Sequence, residues 1–517
     1  MDNKELEKPE SNISQNVNKS GNDLYELDAF FVSGWAIARQ TMKYCGEFFA
    51  IILISILRDV VVFFFTRNKG VAIAEALTAF SLIYVLFSFA VPWAISTLFM
   101  FRVAECAAAQ NFVLIGKYTN KMNLIMFVLA SIMIVLFSTA APALFERISS
   151  SEQAIHHLTT MLRWYSFAML PVFWTVTFFK LLPGIGELTV VISVLVISMV
   201  VQIALNYVFI SALDMVDFGI AFGFVVASII TFIGCLIYWY VWKPCEAAMI
   251  PVCDGVCEEF GEFLGSSMNV GTTVFLCYFS LEFLPYFALI IGDTAYTVVN
   301  MMTLLIGIVT YFSEALNVGN NLLINYLIGK RDYDKIAEVF SITILLNLAY
   351  ILVSETLFIV FFHQICRLFS DEEWVTDIAD TQKWYFLVAS LLSNFHNMLS
   401  ETTIILGGKD WALMSTIVGR FGLSIIASLI LIYTKYGIRS ILIAFSLGQF
   451  VSLILNAGYL ISLFANNQKK LYITLLEIEA FSEHQKHISD EVESKKLEDS
   501  KMSASMISEL KSKKEIG

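Results

Sequence analysis

The sequence predicts an all-α integral membrane protein: twelve transmembrane helices in two six-helix lobes, related by a pseudo-two-fold axis along the membrane normal. Three observations carry that prediction. Hydrophobic residues make up 57% of the 517 and charged residues 15%, with a mean hydropathy of +0.72. A soluble domain cannot cover so much apolar surface, so lipid is the solvent for most of the chain. Twelve stretches reach the roughly 20 apolar residues that a spanning helix needs. The chain also repeats itself: MLRWYSFA at 161–168 returns as TQKWYFLVA at 381–389, setting Trp164-Tyr165 opposite Trp384-Tyr385, 220 residues on.

Taken in order, residues 1–43 are polar and charged with no apolar core region, which predicts a cytoplasmic N-tail rather than a cleavable leader. Apolar stretches follow at 44–66, 73–101, 122–145, 158–180, 185–211 and 218–242, forming an N-lobe over 44–242. Pro92 falls mid-way along the second and should kink it. Residues 243–261, with two prolines and Cys245, Cys253 and Cys257, read as a cytoplasmic linker. A C-lobe over 262–465 holds stretches at 262–291, 295–327, 337–369, 375–406, 411–434 and 438–464. The tail, 466–517, opens with an amphipathic piece at 471–481 and is then polar and disordered. Each half carries a glycine break, LLPGIGE at 181–187 and ILGGKD at 405–410, and an echo, VLIGKY at 113–118 and YLIGKR at 326–331. Six helices per copy is an even number, so both copies enter the membrane in the same direction, which puts the repeat axis along the normal.

Orientation follows from lysine and arginine near the helix ends. Connections on the N-terminal side hold thirteen, from Arg39 and Lys43 through Lys180 to Lys469 and Lys470; the other side holds six (Arg67, Lys69, Arg147, Arg367, Lys435 and Arg439). That bias places both termini in the cytoplasm. The net charge of −12 is concentrated in the body. Residues 1–43 carry seven acids and five bases and residues 466–517 carry ten and nine, which leaves 28 acids against 19 bases. An acidic membrane body favours cationic substrates or coupling ions and argues against nucleic acid. The cysteine cluster has no histidine nearby to complete a metal site, so its members read as free thiols, open to lipidation beside the membrane. No cofactor or metal is expected.

An ionisable group at bilayer depth costs about 2.5–3.5 kcal/mol, so each needs a reason to exist. Asp59 lies in the outer half of the first helix and Glu282 in the outer half of the seventh, near-equivalent places in the two copies. A carboxyl group in a low-dielectric cavity takes up and releases a proton near neutrality, which a proton-coupled exchanger requires. Arg58 is adjacent to Asp59, but neighbours in sequence do not face each other on a helix. Gln202 and Asn206 stand one turn apart and share a face; they either ligate a cation or substrate or bond between helices. Glu314 and Arg420 either pair with each other or line the cavity. Glu355 and Glu401 read as interhelical contacts. Between the copies, Pro92 is replaced by Glu314, and Gln202/Asn206 by Arg420/Ser424.

Several local signatures in this order resemble the multidrug and toxic compound extrusion family of antiporters, over about residues 44–465. LNYVFI followed by DFGIAFGFVVASII (205–230), INYLIGKRDYDKIAEV (324–339), RLFSDEEWVTDIA (367–379) and IILGGKDWALMSTIVG (404–419) are similar to its segments. The resemblance implies a cleft between lobes in which an organic substrate is exchanged for protons or sodium. It sets Asp59 and Glu282 on the family's coupling carboxylates, Asp59 with a spacing about three residues long and Glu282 also with a longer spacing. Asn206 matches the second position of an Asn-x-x-x-Asp/Asn pair whose first position is Gln202 here, which favours protons over sodium. The expected protein is thus a monomeric, multi-pass exporter of organic, cationic compounds in the plasma membrane or an endomembrane, in contact with lipid. The alternatives are a flippase of the wider superfamily for lipid-linked sugars, which would want a basic cavity, and a membrane-embedded acyltransferase built on His396 and Asn397.

Overall fold

A computed structural model describes residues 34–66, 69, 71–140, 143, 152–252, 254–369, 373–433 and 437–465. The N-tail to residue 33, the C-tail from 466, and Arg67, Arg147, Cys253 and Lys435 lie outside the described residues, as does the side chain of Asp59.

The described chain is helical without strands. Its spanning helices are α1 (Gly34–Thr66), α2 (Ala79–Ala108), α3 (Phe112–Thr139), α4 (Glu152–Gly184), α5 (Leu188–Ala212), α6 (Val216–Trp242), α7 (Phe260–Ala288), α8 (Thr294–Lys330), α9 (Tyr333–Leu368), α10 (Lys383–Ile405), α11 (Lys409–Ile432) and α12 (Ile438–Ala465). Eleven are long and apolar enough to cross a membrane. The remaining one, α10, is 23 residues long and unusually polar. It turns that polarity inward: Ser390, Ser393, Asn394, His396 and Ser400 are buried. On α9 the outward face carries Leu345, Leu352, Val353 and Val360, all exposed, as lipid contact demands. Residues through Tyr459 form one compact unit; the described residues beyond it complete α12.

The Trp-Tyr pairs fall on the fourth helix of each half, α4 and α10, as the repeat predicts. The Leu-Ile-Gly-Lys echoes do not correspond: Gly116 starts α3, whereas Gly329 ends α8. What they share is close backbone approach. A side chain on Gly116 would strike the Ala248 carbonyl, and one on Gly329 would strike the Glu105 carbonyl.

The largest shifts in boundary are at the starts of two helices. The first helix begins at Gly34 rather than 44, and α3 begins at Phe112 rather than 122. Asn111 caps α3, its side chain accepting from the Leu114 amide at 3.3 Å. The polar turn after it stays helical because the linker satisfies it. Lys117 pairs with Glu258 at 2.9 Å, and Asn120 donates to the carbonyls of Pro251 (2.8 Å) and Asp254 (3.2 Å). Tyr118 stacks on Phe263 at 5.4 Å.

The halves meet through α1 and α2 on one side and α7, α8 and α9 on the other. Glycines allow the closest approaches, and these sit toward the linker end. Gly319 faces the Thr41 carbonyl and Cys45 of α1, Gly271 lies on Ile95 of α2, and Gly329 lies on Glu105 and Ala108. Phe49 and Phe312 meet edge-to-face at 5.3 Å.

Candidate functional site

The helices nearest the centre are irregular where the polar residues sit. α7 breaks after Glu282: Phe283 (φ −85°, ψ −15°) separates it from a short continuation led by Pro285, whose missing N–H cannot continue the ladder. Widened turns run over Tyr84–Ala90 before Pro92, over Tyr207–Ala212 after Asn206, and over Thr416–Leu423 around Arg420. Such insertions aim side chains away from the regular helical spacing and recur at functional sites.

In the N-lobe, Arg58 donates through Nε to Gln202 Oε1 at 2.8 Å, and its guanidinium lies 5.5 Å from the Phe224 ring centroid. Gln202 and Asn206 are both buried, and among the described residues Gln202 Nε2 and both amide atoms of Asn206 have no hydrogen-bond partner. Asn206 rests on Gly223 of α6, where any side chain would displace it.

In the C-lobe, Arg420 is the hub. It donates to the Cys277 carbonyl (2.7 Å), Ser280 Oγ (2.9 Å), His396 Nδ1 (2.9 Å) and Asn397 Oδ1. Arginine has no acceptor, so His396 Nδ1 holds the lone pair and Nε2 carries the proton, donated to Ser452 Oγ at 2.7 Å. Glu314 accepts from the Tyr278 hydroxyl, and Glu401 accepts from Asn321 at 2.6 Å. Glu314 and Arg420 make no ion pair among the described residues, yet each acts electrostatically on the other. Glu282 is half-buried, and no described residue bonds to it. Glu355 is 5% exposed, with the Ser390 hydroxyl as its polar neighbour.

One residue of this centre was misplaced by sequence reasoning. Lys180, counted with the cytoplasmic loop residues, is 1% exposed on α4, its Nζ 3.4 Å from the Trp93 ring centroid. Its charged neighbours are Glu401 and Glu314, across the divide between halves. The glycine break at 184–186 ends α4 one turn later, so a lysine that reads as terminal still has room to turn inward. The reading of Glu401 as a bare helix contact changes with it, because that carboxylate faces a cation from the other lobe.

A family model described as MatE matches residues 47–208 and 270–430. The chain belongs to the MatE family. The two matched blocks fall one in each half and leave out the linker. A curated relative, the "Probable multidrug resistance protein YoeA" of Bacillus subtilis (strain 168), is 22% identical over 408 residues, covering 75% of this chain and 85% of that protein. Among solved structures, the eukaryotic MATE transporter AtDTX14 superposes with a TM-score of 0.79 at 14% identity, over 86% of this chain and all of that one. A MOP superfamily transporter from Pyrococcus furiosus, described as having a binding pocket of reversed polarity, superposes at 0.75 with 15% identity, over 82% and 95%. These likenesses establish the twelve-helix, two-lobe MATE layout.

Within that layout the predicted residues separate into two groups. Gln202 comes together with Arg58, with Asn206 one turn along; Glu314 bonds Tyr278 and Arg420 bonds His396 and Asn397, and the two sets act on each other electrostatically. Glu282 stands apart from both, two residues beyond Ser280. Arg58 and Lys180 were missed as site residues; Arg58 was visible only as the neighbour of Asp59. His396 has its lone pair engaged by Arg420, which leaves it no free base for the acyltransferase alternative. Among the described residues no three of His, Cys, Asp and Glu are placed to hold a metal. Cys245 is buried in the linker, which pushes its thiol up to about 11, whereas Cys257 is exposed.

Proposed function

We propose that this MatE transporter is a secondary antiporter exporting organic, cationic compounds in exchange for protons, with Asp59 and Glu282 as coupling carboxylates. Gln202, Asn206, Glu314 and Arg420 line the cavity through which the substrate passes. The observation that carries the reading is Glu282: a carboxyl group with no bonded partner among the described residues, half-buried, at the break in α7. A group so placed gains a proton without losing an existing bond, and broken helices are where transporters bind coupling ions. The part-buried acids Glu314 and Glu401 elsewhere in the C-lobe support a cationic cargo. The Lys/Arg bias supports cytoplasmic termini, in the plasma membrane or an endomembrane.

Reconstituted vesicles with an imposed proton gradient test this. Uptake of a cationic dye should follow the gradient and fall to background in the Asp59→Asn/Glu282→Gln double variant. Uptake equal to wild type would sink the carboxylate mechanism; uptake that follows sodium instead would change the ion.

A further inference from the structure

We infer that the Arg58–Gln202–Asn206 pocket binds the acidic group of an organic anion or zwitterion with an apolar body, so that the N-lobe engages negative charge. For its cargo the inference rests on the exporter reading; for its chemistry it rests on the pocket alone. Among the described residues Arg58 bonds through Nε alone, to Gln202, so both terminal nitrogens keep their N–H groups for a ligand. The same bond commits the Gln202 oxygen and leaves its Nε2 buried and without a partner among the described residues. Asn206, one turn along and fully buried, adds a second unpartnered amide.

Unmade hydrogen bonds in buried amides are costly, and a ligand that supplies two acceptor oxygens removes that cost. A carboxylate or sulfonate matches the planar guanidinium fork in a bidentate manner, whereas a bare cation meets the like charge of Arg58. The floor is aromatic. Phe224, beneath the guanidinium, lies 5.4 Å from Tyr84 and 6.0 Å from Phe80, which suits a flat apolar body.

The test is equilibrium binding of 1-naphthoate to the purified full-length protein in detergent, followed by naphthyl fluorescence anisotropy. 1-Naphthylmethylamine serves as a matched body of opposite charge. At sites dependent on Arg58, naphthoate should bind about tenfold tighter than the amine, the worth of one charge-assisted contact. Arg58→Gln should cost naphthoate about that factor and leave the amine within about twofold. Gln202→Leu, which keeps the charge, should weaken naphthoate by a smaller factor, so a folding failure in one variant leaves the other to decide. Naphthoate affinity indifferent to both substitutions would overturn the inference. Displacement of naphthoate by trace phosphatidylglycerol, with no effect of soluble carboxylates, would also overturn it and assign the pocket to a lipid headgroup. Because the readout is binding, absent proton-driven dye export would count against the exporter reading and leave the pocket standing.

Discussion

Arg420 bonds four acceptors on two other helices, α7 and α10, with one guanidinium, and its removal takes that donor from all four. Arg420→Gln should therefore cost about 3 kcal/mol or more, the usual penalty for breaking a buried charged network. It would be seen as a clear fall in the melting temperature of the detergent-solubilised protein, and an unchanged melt would refute the hub. Lys180→Met asks a different question, because methionine keeps the apolar contact with Trp93 and deletes the charge facing Glu401 and Glu314. If that charge links the lobes, dye export should slow about tenfold while the amount of folded protein stays the same, a coupling of about 1.4 kcal/mol. Equal loss in Lys180→Arg would point to packing instead. Sequence alone flagged Arg420 because a bilayer makes such a residue conspicuous. It lost Lys180 because a lysine within a turn of a helix end ordinarily reaches water.

Helices as elements were legible almost throughout, since about 20 apolar residues in a row admit one reading in lipid. Their irregularities were less so. Pro92 announced a kink, but the widened turn at Thr416–Leu423 that re-aims Arg420 has no proline or other marker in the sequence. The polar start of α3 was read as loop because hydropathy cannot see a partner that lies 130 residues away, as Pro251 does for Asn120. That docking is open to test through the linker thiols. Cys257 should react with a maleimide at neutral pH. Cys245, buried and titrating at about 11, keeps its proton and stays unlabelled until the pH climbs toward that value or the protein unfolds. Equal labelling of both at pH 7 would mean the linker is not seated on the N-lobe.

For the whole molecule, the internal repeat announced two bodies, and the family match to one block in each half agrees. What the repeat could not disclose is where the bodies touch, because close packing there depends on single glycines. Gly329→Val would press on the Glu105 carbonyl and Ala108, forcing α8 away from α2. Cys106, now buried on α2, should then become reactive toward a soluble maleimide several-fold faster than in the parent protein. No change in its rate would show that the contact bears no strain. Arg58 is the matching omission in the site: its sequence context suggested only a neighbour for Asp59, and its bond to Gln202 spans 144 positions.

The linker deserves its name less than its length suggests. It is fastened to α3 from Ala248 through Glu258, and the first helix of the second half starts two residues later, at Phe260. Glu259, in a left-handed conformation (φ +47°), is the residue between. The covalent joint between the halves therefore has almost no slack: near this end they can swivel about a point, but they cannot slide apart while the fastening holds.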